Sequence, residues 1–252
     1  MNEKLPEVNP TGRTSSVTQS QAGLLFAIVC PTLLTFVYFN LLQEMAPAIQ
    51  QGVYGAGKLL QFGFPAFCFF VLLRGKQTFS LPSRQSVLLG SAFGIVVALV
   101  MLVIYWLALR PSGFFDGPGQ QVREKIAGMG IDSWMKYAAL GLFYAIVHSF
   151  LEEYYWRWFV FRQLRITMPQ SAAVWISSLG FMAHHVIVLK TFFGWDSPAT
   201  YLFSASVAIG GAAWAWLYER SGSLAGPWLS HLLVDAGIFI IGYDLAHEFL
   251  HG

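Results

Sequence analysis

Two adjacent carboxylates, Glu152 and Glu153, lie in a stretch otherwise built from apolar and aromatic residues. No charge occurs from Ala138 to Val147 ahead of them, and Trp158, Phe159, Val160 and Phe161 follow. A carboxylate in hydrocarbon is costly, so its presence marks a functional site by default. On a helix, Glu153 stands one turn before Arg157, in the favourable acid-before-base order. Glu152 shares its face with His148 and Trp156, about 100° round the helix from Glu153. One carboxylate is therefore paired locally, and the other is free to meet a group from another helix. Taken alone, the stretch also reads as a structural Glu–Arg bridge, with Glu152 reaching towards the membrane interface.

Two later apolar segments weigh against that reading. One carries Phe181, His184 and His185, and the other carries His231 with Asp235 one turn on. Histidine is rare inside membrane helices and usually faces the bundle interior. Adjacent histidines diverge by about 100°, so His185, which shares its face with Phe181, is expected at the site while His184 packs elsewhere. At four residues' spacing, Asp235 can orient or charge-stabilise His231. One polar site shared by three apolar segments is a simpler account than three independent accidents.

The chain has 252 residues, 56% hydrophobic and only 11% charged. An ordinary soluble domain carries about 25% charged residues, so this is the composition of a protein with many membrane spans. The runs are too long and too unalternating for barrel strands. The expected fold is an all-α transmembrane bundle of about seven spans, eight being the alternative. The spans are expected near 24–42, 59–73, 87–109, 134–161, 171–188, 201–218 and up to Tyr243, with exposed loops at 43–58 and 110–132. The second of these loops holds one short amphipathic turn around 121–126. Residues 1–20 read as a disordered polar tail, 21–132 as the first spans with the long loop, 133–243 as the core bearing the polar site, and 244–252 as a terminal tail.

A net charge of +2 without a basic tract gives no footprint for nucleic acid. Cys30 and Cys68 lie within apolar runs and read as small buried hydrophobes. With the N-terminus cytoplasmic, nine Lys and Arg fall inside (Lys4, Arg13, Arg74, Lys76, Arg84, Arg157, Arg162, Arg165, Arg220) and six outside (Lys58, Arg110, Arg123, Lys125, Lys136, Lys190). The bias favours an integral plasma (inner) membrane protein with its N-terminus in the cytoplasm.

The order Glu-Glu-x-x-x-Arg (Glu152, Glu153, Arg157), Phe-x-x-x-His (Phe181, His185) and His-x-x-x-Asp (His231, Asp235) resembles the CAAX-protease and bacteriocin-processing family of intramembrane endopeptidases. The likeness covers about residues 137–243, and it departs from the family where the third motif often ends in Asn. It implies a peptidase acting on a membrane-bound peptide or protein. Glu152 would be the general base, working on water with His185. Glu153 and Arg157 would brace the site or hold the substrate backbone, and His231 with Asp235 would stabilise the oxyanion. Hydrolysis without a nucleophilic side chain does need a base for water and a donor for the tetrahedral oxyanion. An ionised Asp235 cannot donate, but it could keep His231 protonated as the donor.

The family has been described both as glutamate-type and as metal-dependent. The sequence commits to no cofactor: no local ligand spacing argues for a metal, metal-free catalysis is favoured, and if a divalent metal such as zinc is used, Glu152, His185 and His231 are the expected ligands. A second pattern, His247-Glu248-x-x-His251, matches that of zinc peptidases but ends one residue before the terminus. It is expected to be a dispensable stub. A membrane immunity or binding protein, or a small transporter, using the same polar cluster is the non-enzymatic alternative.

Overall fold

The computed structural model describes residues 10–72 and 81–251. Eight helical runs follow one another, and no strand occurs among the described residues. They are α1 (10–41), α2 (47–72), α3 (84–109), α4 (Asp116–Gly128), α5 (134–167), α6 (Gln170–Phe193), α7 (Pro198–Ser221) and α8 (Ala225–His251). Residues 1–9 of the expected tail, with Arg74 and Lys76 of the second linker, lie outside the described residues.

Among the described residues, five helices are long and apolar enough to cross a membrane: Gln21–Leu41, Arg84–Leu109, Gln170–Phe193, Pro198–Ser221 and Ala225–His251. The protein is an integral membrane protein. The expected count of seven spans includes α2 and α5 as well. Lys58, Gln61 and Pro65 dilute the apolar character of α2, and α5 carries the charged site residues. The expected loop at 43–58 is mostly helix, because Pro47 can occupy the first turn of α2, where its missing N–H costs nothing. The amphipathic turn expected around 121–126 is likewise a longer helix, α4.

Helix α5 runs through the middle of the bundle. Its residues Tyr155 to Phe161 are all buried, as expected of a helix apolar on every side. It is not a regular helix. Two π-helical stretches, Phe143–His148 and Tyr154–Phe161, flank one α-helical turn, Ser149–Glu153. Such widened turns re-phase the face that follows and are frequent at functional sites. Here they enclose the acidic pair.

Small residues bring α3 against α8. A Cβ on Gly90 would collide with the Gly226 carbonyl, and one on Gly94 would lie 2.8 Å from Ser230 Cα. Gly90 and Gly94 face Gly226 and Ser230, two small-x-x-x-small steps of the kind that let membrane helices approach closely. Ser230 precedes His231, so this contact fixes the height of the histidine. α8 begins at Ala225, two residues ahead of Pro227, which sets His231 deeper than a start at the proline would.

Candidate active site

The three apolar segments do bring their polar residues together. Glu152, Glu153 and Arg157 of α5 and His184 of α6 are each under 5% exposed, as is His231 of α8. The Glu153 carboxylate is the hub. Its Oε1 accepts a hydrogen bond from His231 Nδ1 at 2.9 Å. Its Oε2 lies 3.1 Å from Arg157 Nε, an ion pair not aligned as a hydrogen bond.

Arg157 is held in turn from α7. Its Nη2 donates to the Gly211 carbonyl at 3.1 Å. Its guanidinium lies against two neighbouring rings, 4.9 Å from the centre of Phe181 and 5.2 Å from that of Trp214. Such a plane stacks on aromatic faces and is weakly hydrated, which suits arginine to a buried ion pair. Trp214 also stacks on His231, with centroids 4.1 Å apart at 15°, and its Nε1 donates to Ser230 Oγ at 2.8 Å. Trp214 thus clamps the arginine and the histidine at once. The sequence reading missed it, and no charged or motif residue beside it marked it out.

Glu152 stands among imidazoles. His184 Nε2 is 3.4 Å from its Oε1, while His231 Nε2 and His148 Nδ1 are 3.7 and 3.8 Å from its Oε2. The expectation that His184 packs away from the site is corrected. Both histidines lie beside Glu152, their own ring centres 4.2 Å apart, because two side chains splayed on adjacent positions can still converge on a carboxylate between them. His185 sits against Phe181, ring centres 4.7 Å apart, and donates from Nδ1 to the Phe181 carbonyl at 3.0 Å. That bond leaves His185 Nε2 as the ring's lone-pair nitrogen. Asp235 Oδ1 lies 3.6 Å from His231 Nε2.

Ligand atoms of Glu152, His184 and His185 all lie within 4.8 Å of one another. The residues fit a metal: one carboxylate and two imidazoles leave a fourth position open, and the bond from His185 to Phe181 presets the tautomer a ligand needs. The set differs from the expected Glu152, His185 and His231 in that His184 stands where His231 was expected, while His231 donates Nδ1 to Glu153 and has Nε2 3.7 Å from Glu152 Oε2.

The terminal pattern lies elsewhere, at the far end of α8. It is not a frayed stub. Ala246 and Leu250 are buried with Ile126 and Tyr137, and Arg123 donates to the Leu245 carbonyl at 2.8 Å. The expectation of a loose tail failed because α4 supplies the packing surface. The rings of His247 and His251 are 4.5 Å apart, but His251 Nε2 is engaged by the Tyr243 hydroxyl at 3.0 Å.

Residues 134–237 match the family model described as type II CAAX prenyl endopeptidase Rce1-like. No curated protein and no solved structure matches the chain.

Proposed function

From this match and the buried carboxylate–imidazole cluster, we propose that the protein is an intramembrane endopeptidase in which Glu152 activates water against a peptide bond of a membrane-bound substrate. We place it in the plasma (inner) membrane with its N-terminus cytoplasmic, on the bias of its basic residues. The observation that carries the reading is the division of labour between the two carboxylates. Glu153 is consumed by His231 and Arg157, whereas the ion-pair partners of Glu152 among the described residues are imidazoles.

Glu152 takes a proton from water, whose remaining hydrogen bonds to His185 Nε2. The hydroxide oxygen attacks the carbonyl carbon, and the resulting oxyanion is met by His231. With Nδ1–H given to Glu153, a second proton on Nε2 makes His231 a donor into the site, and Asp235 supports that charged ring. Collapse breaks the C–N bond, and the proton on Glu152 passes to the leaving amine. Arg157 acts at one remove by holding Glu153, which holds His231.

A second reading rests on the cluster of Glu152, His184 and His185. A divalent metal held by those three would polarise bound water and the scissile carbonyl. The residues' other tasks would be unchanged, with Glu153 and Arg157 still fixing His231.

The test uses purified protein in micelles with a mixture of membrane peptides, read by mass spectrometry. Glu152→Gln should leave a folded protein with hydrolysis reduced at least about a hundredfold. Turnover near that of the native protein would overturn the assignment. Loss of activity with a chelator, restored by zinc, would favour the metal reading.

A further inference from the structure

The pattern His247-Glu248-x-x-His251 takes no part in the site around Glu152, yet it stands on a well-held helix end. Ala246 and Leu250 are buried with Ile126 of α4 and Tyr137 of α5, and Arg123 donates to the Leu245 carbonyl. These contacts fix the rotation of the last two turns of α8. His247 and His251 therefore project from an ordered backbone, and both are exposed. One turn apart, they share a face, with ring centres 4.5 Å from each other.

A third residue of that face orients the outer ring. The Tyr243 hydroxyl, two turns back along the helix, lies 3.0 Å from His251 Nε2, and the Tyr243 ring centre is 5.6 Å from that of His247. His251 Nε2 consequently points back towards the turn that carries His247. A hydroxyl donating there leaves Nε2 as the lone-pair nitrogen, the form of imidazole that ligates a metal. Two such rings four residues apart on a helix are the chelating pair of the zinc-peptidase pattern. Glu248 adds a negative charge to the same turn. Among the described residues, only Glu152, His184 and His185 form a set of three ligands, so a cation here is held by two imidazoles with water at its other positions. Imidazole ligands select zinc, nickel and copper, whereas magnesium and calcium take oxygen.

We propose that His247 and His251 form a site for a divalent transition metal of the zinc and nickel class at the end of α8. Sixteen residues of helix, about 24 Å, separate His247 from His231, so this site is distinct from the cluster at Glu152. The metal takes the lone pair of His251 Nε2 from the Tyr243 hydroxyl and joins that ring to His247. It staples the helix end that docks on α4, and its role is stability, not hydrolysis. The site stands whether or not the protein is a peptidase.

The test uses the full chain in micelles, purified without a polyhistidine tag. Calorimetric titration with zinc should find one site fewer in His247→Ala than in the native protein, whatever the buried cluster binds. Zinc at about ten times its Kd should slow modification of native His247 and His251 by diethyl pyrocarbonate about tenfold, mapped by peptide mass spectrometry. Magnesium should give no such protection. The rise in thermal midpoint with zinc should be larger in the native protein than in His247→Ala by about 3–6 °C. Equal numbers of zinc sites in the two proteins, or His251 modified as fast with zinc as without it, overturns the proposal. Protection by magnesium equal to that by zinc overturns the assignment to a transition metal, and an equal rise in midpoint in both proteins overturns the staple.

Discussion

At the scale of single residues, the site is a relay of supports ending on one histidine. Arg157 reaches Glu153 with Nε and Gly211 with Nη2 while lying against two rings, and a lysine ammonium is a compact point charge without that planar fork. Arg157→Lys should therefore lower hydrolysis by about tenfold or more, roughly the loss of one hydrogen bond to a charged group, and should also lower the thermal midpoint. Activity and midpoint equal to the native values would show that charge alone matters. Glu152, Glu153, Arg157, His231 and Asp235 were legible in the sequence because a charge inside an apolar run is expensive and so conspicuous. His184 was misplaced because helical angles say where a side chain leaves the backbone, not where a long one ends. Trp214 was illegible because an aromatic residue among aromatics carries no signal until its neighbours are known.

At the scale of elements, two features position the site. One is α5, whose π-helical stretches enclose the acidic pair; no sequence period announces a widened turn. The other is the close seam between α3 and α8, written as Gly90-x-x-x-Gly94 against Gly226-x-x-x-Ser230. That pattern was visible, but its partner is not deducible from one chain's spacing. Gly94→Val would drive a branched side chain into Ser230 and Leu233, tilting α8 and lifting His231 away from Glu153. We expect lower stability and a fall in hydrolysis larger than the stability loss explains. Gly63→Ala, where an added Cβ meets nothing within 4 Å, should instead gain up to about 1 kcal/mol in a helix interior. If Gly94→Val left hydrolysis per folded molecule unchanged, the seam would not set the site.

At the scale of the whole molecule, the helical membrane character was plain from composition, whereas the number of spans was not, because the helices nearest the chemistry are the least apolar. The terminal turns of α8 carry a structural load that the sequence did not reveal. Removing residues 245–252 takes away buried Ala246 and Leu250 and the acceptor of Arg123, so the truncated protein should melt at a lower temperature. His247→Ala and Glu248→Gln in the full chain should leave hydrolysis intact, since neither residue reaches Glu152. Abolition of activity by either change in a folded protein would transfer the chemistry to the terminal pattern.

The central claim is that water activated at Glu152 cleaves a peptide bond inside the membrane. Its most direct test is hydrolysis of membrane peptides by the purified protein in ¹⁸O-labelled water, with the new carboxyl termini weighed by mass spectrometry. The native protein should place one ¹⁸O in each new carboxylate, and Glu152→Gln should yield almost none of these products. Peptides left uncut by the native protein, or cut equally well by the Glu152→Gln protein, would contradict the account.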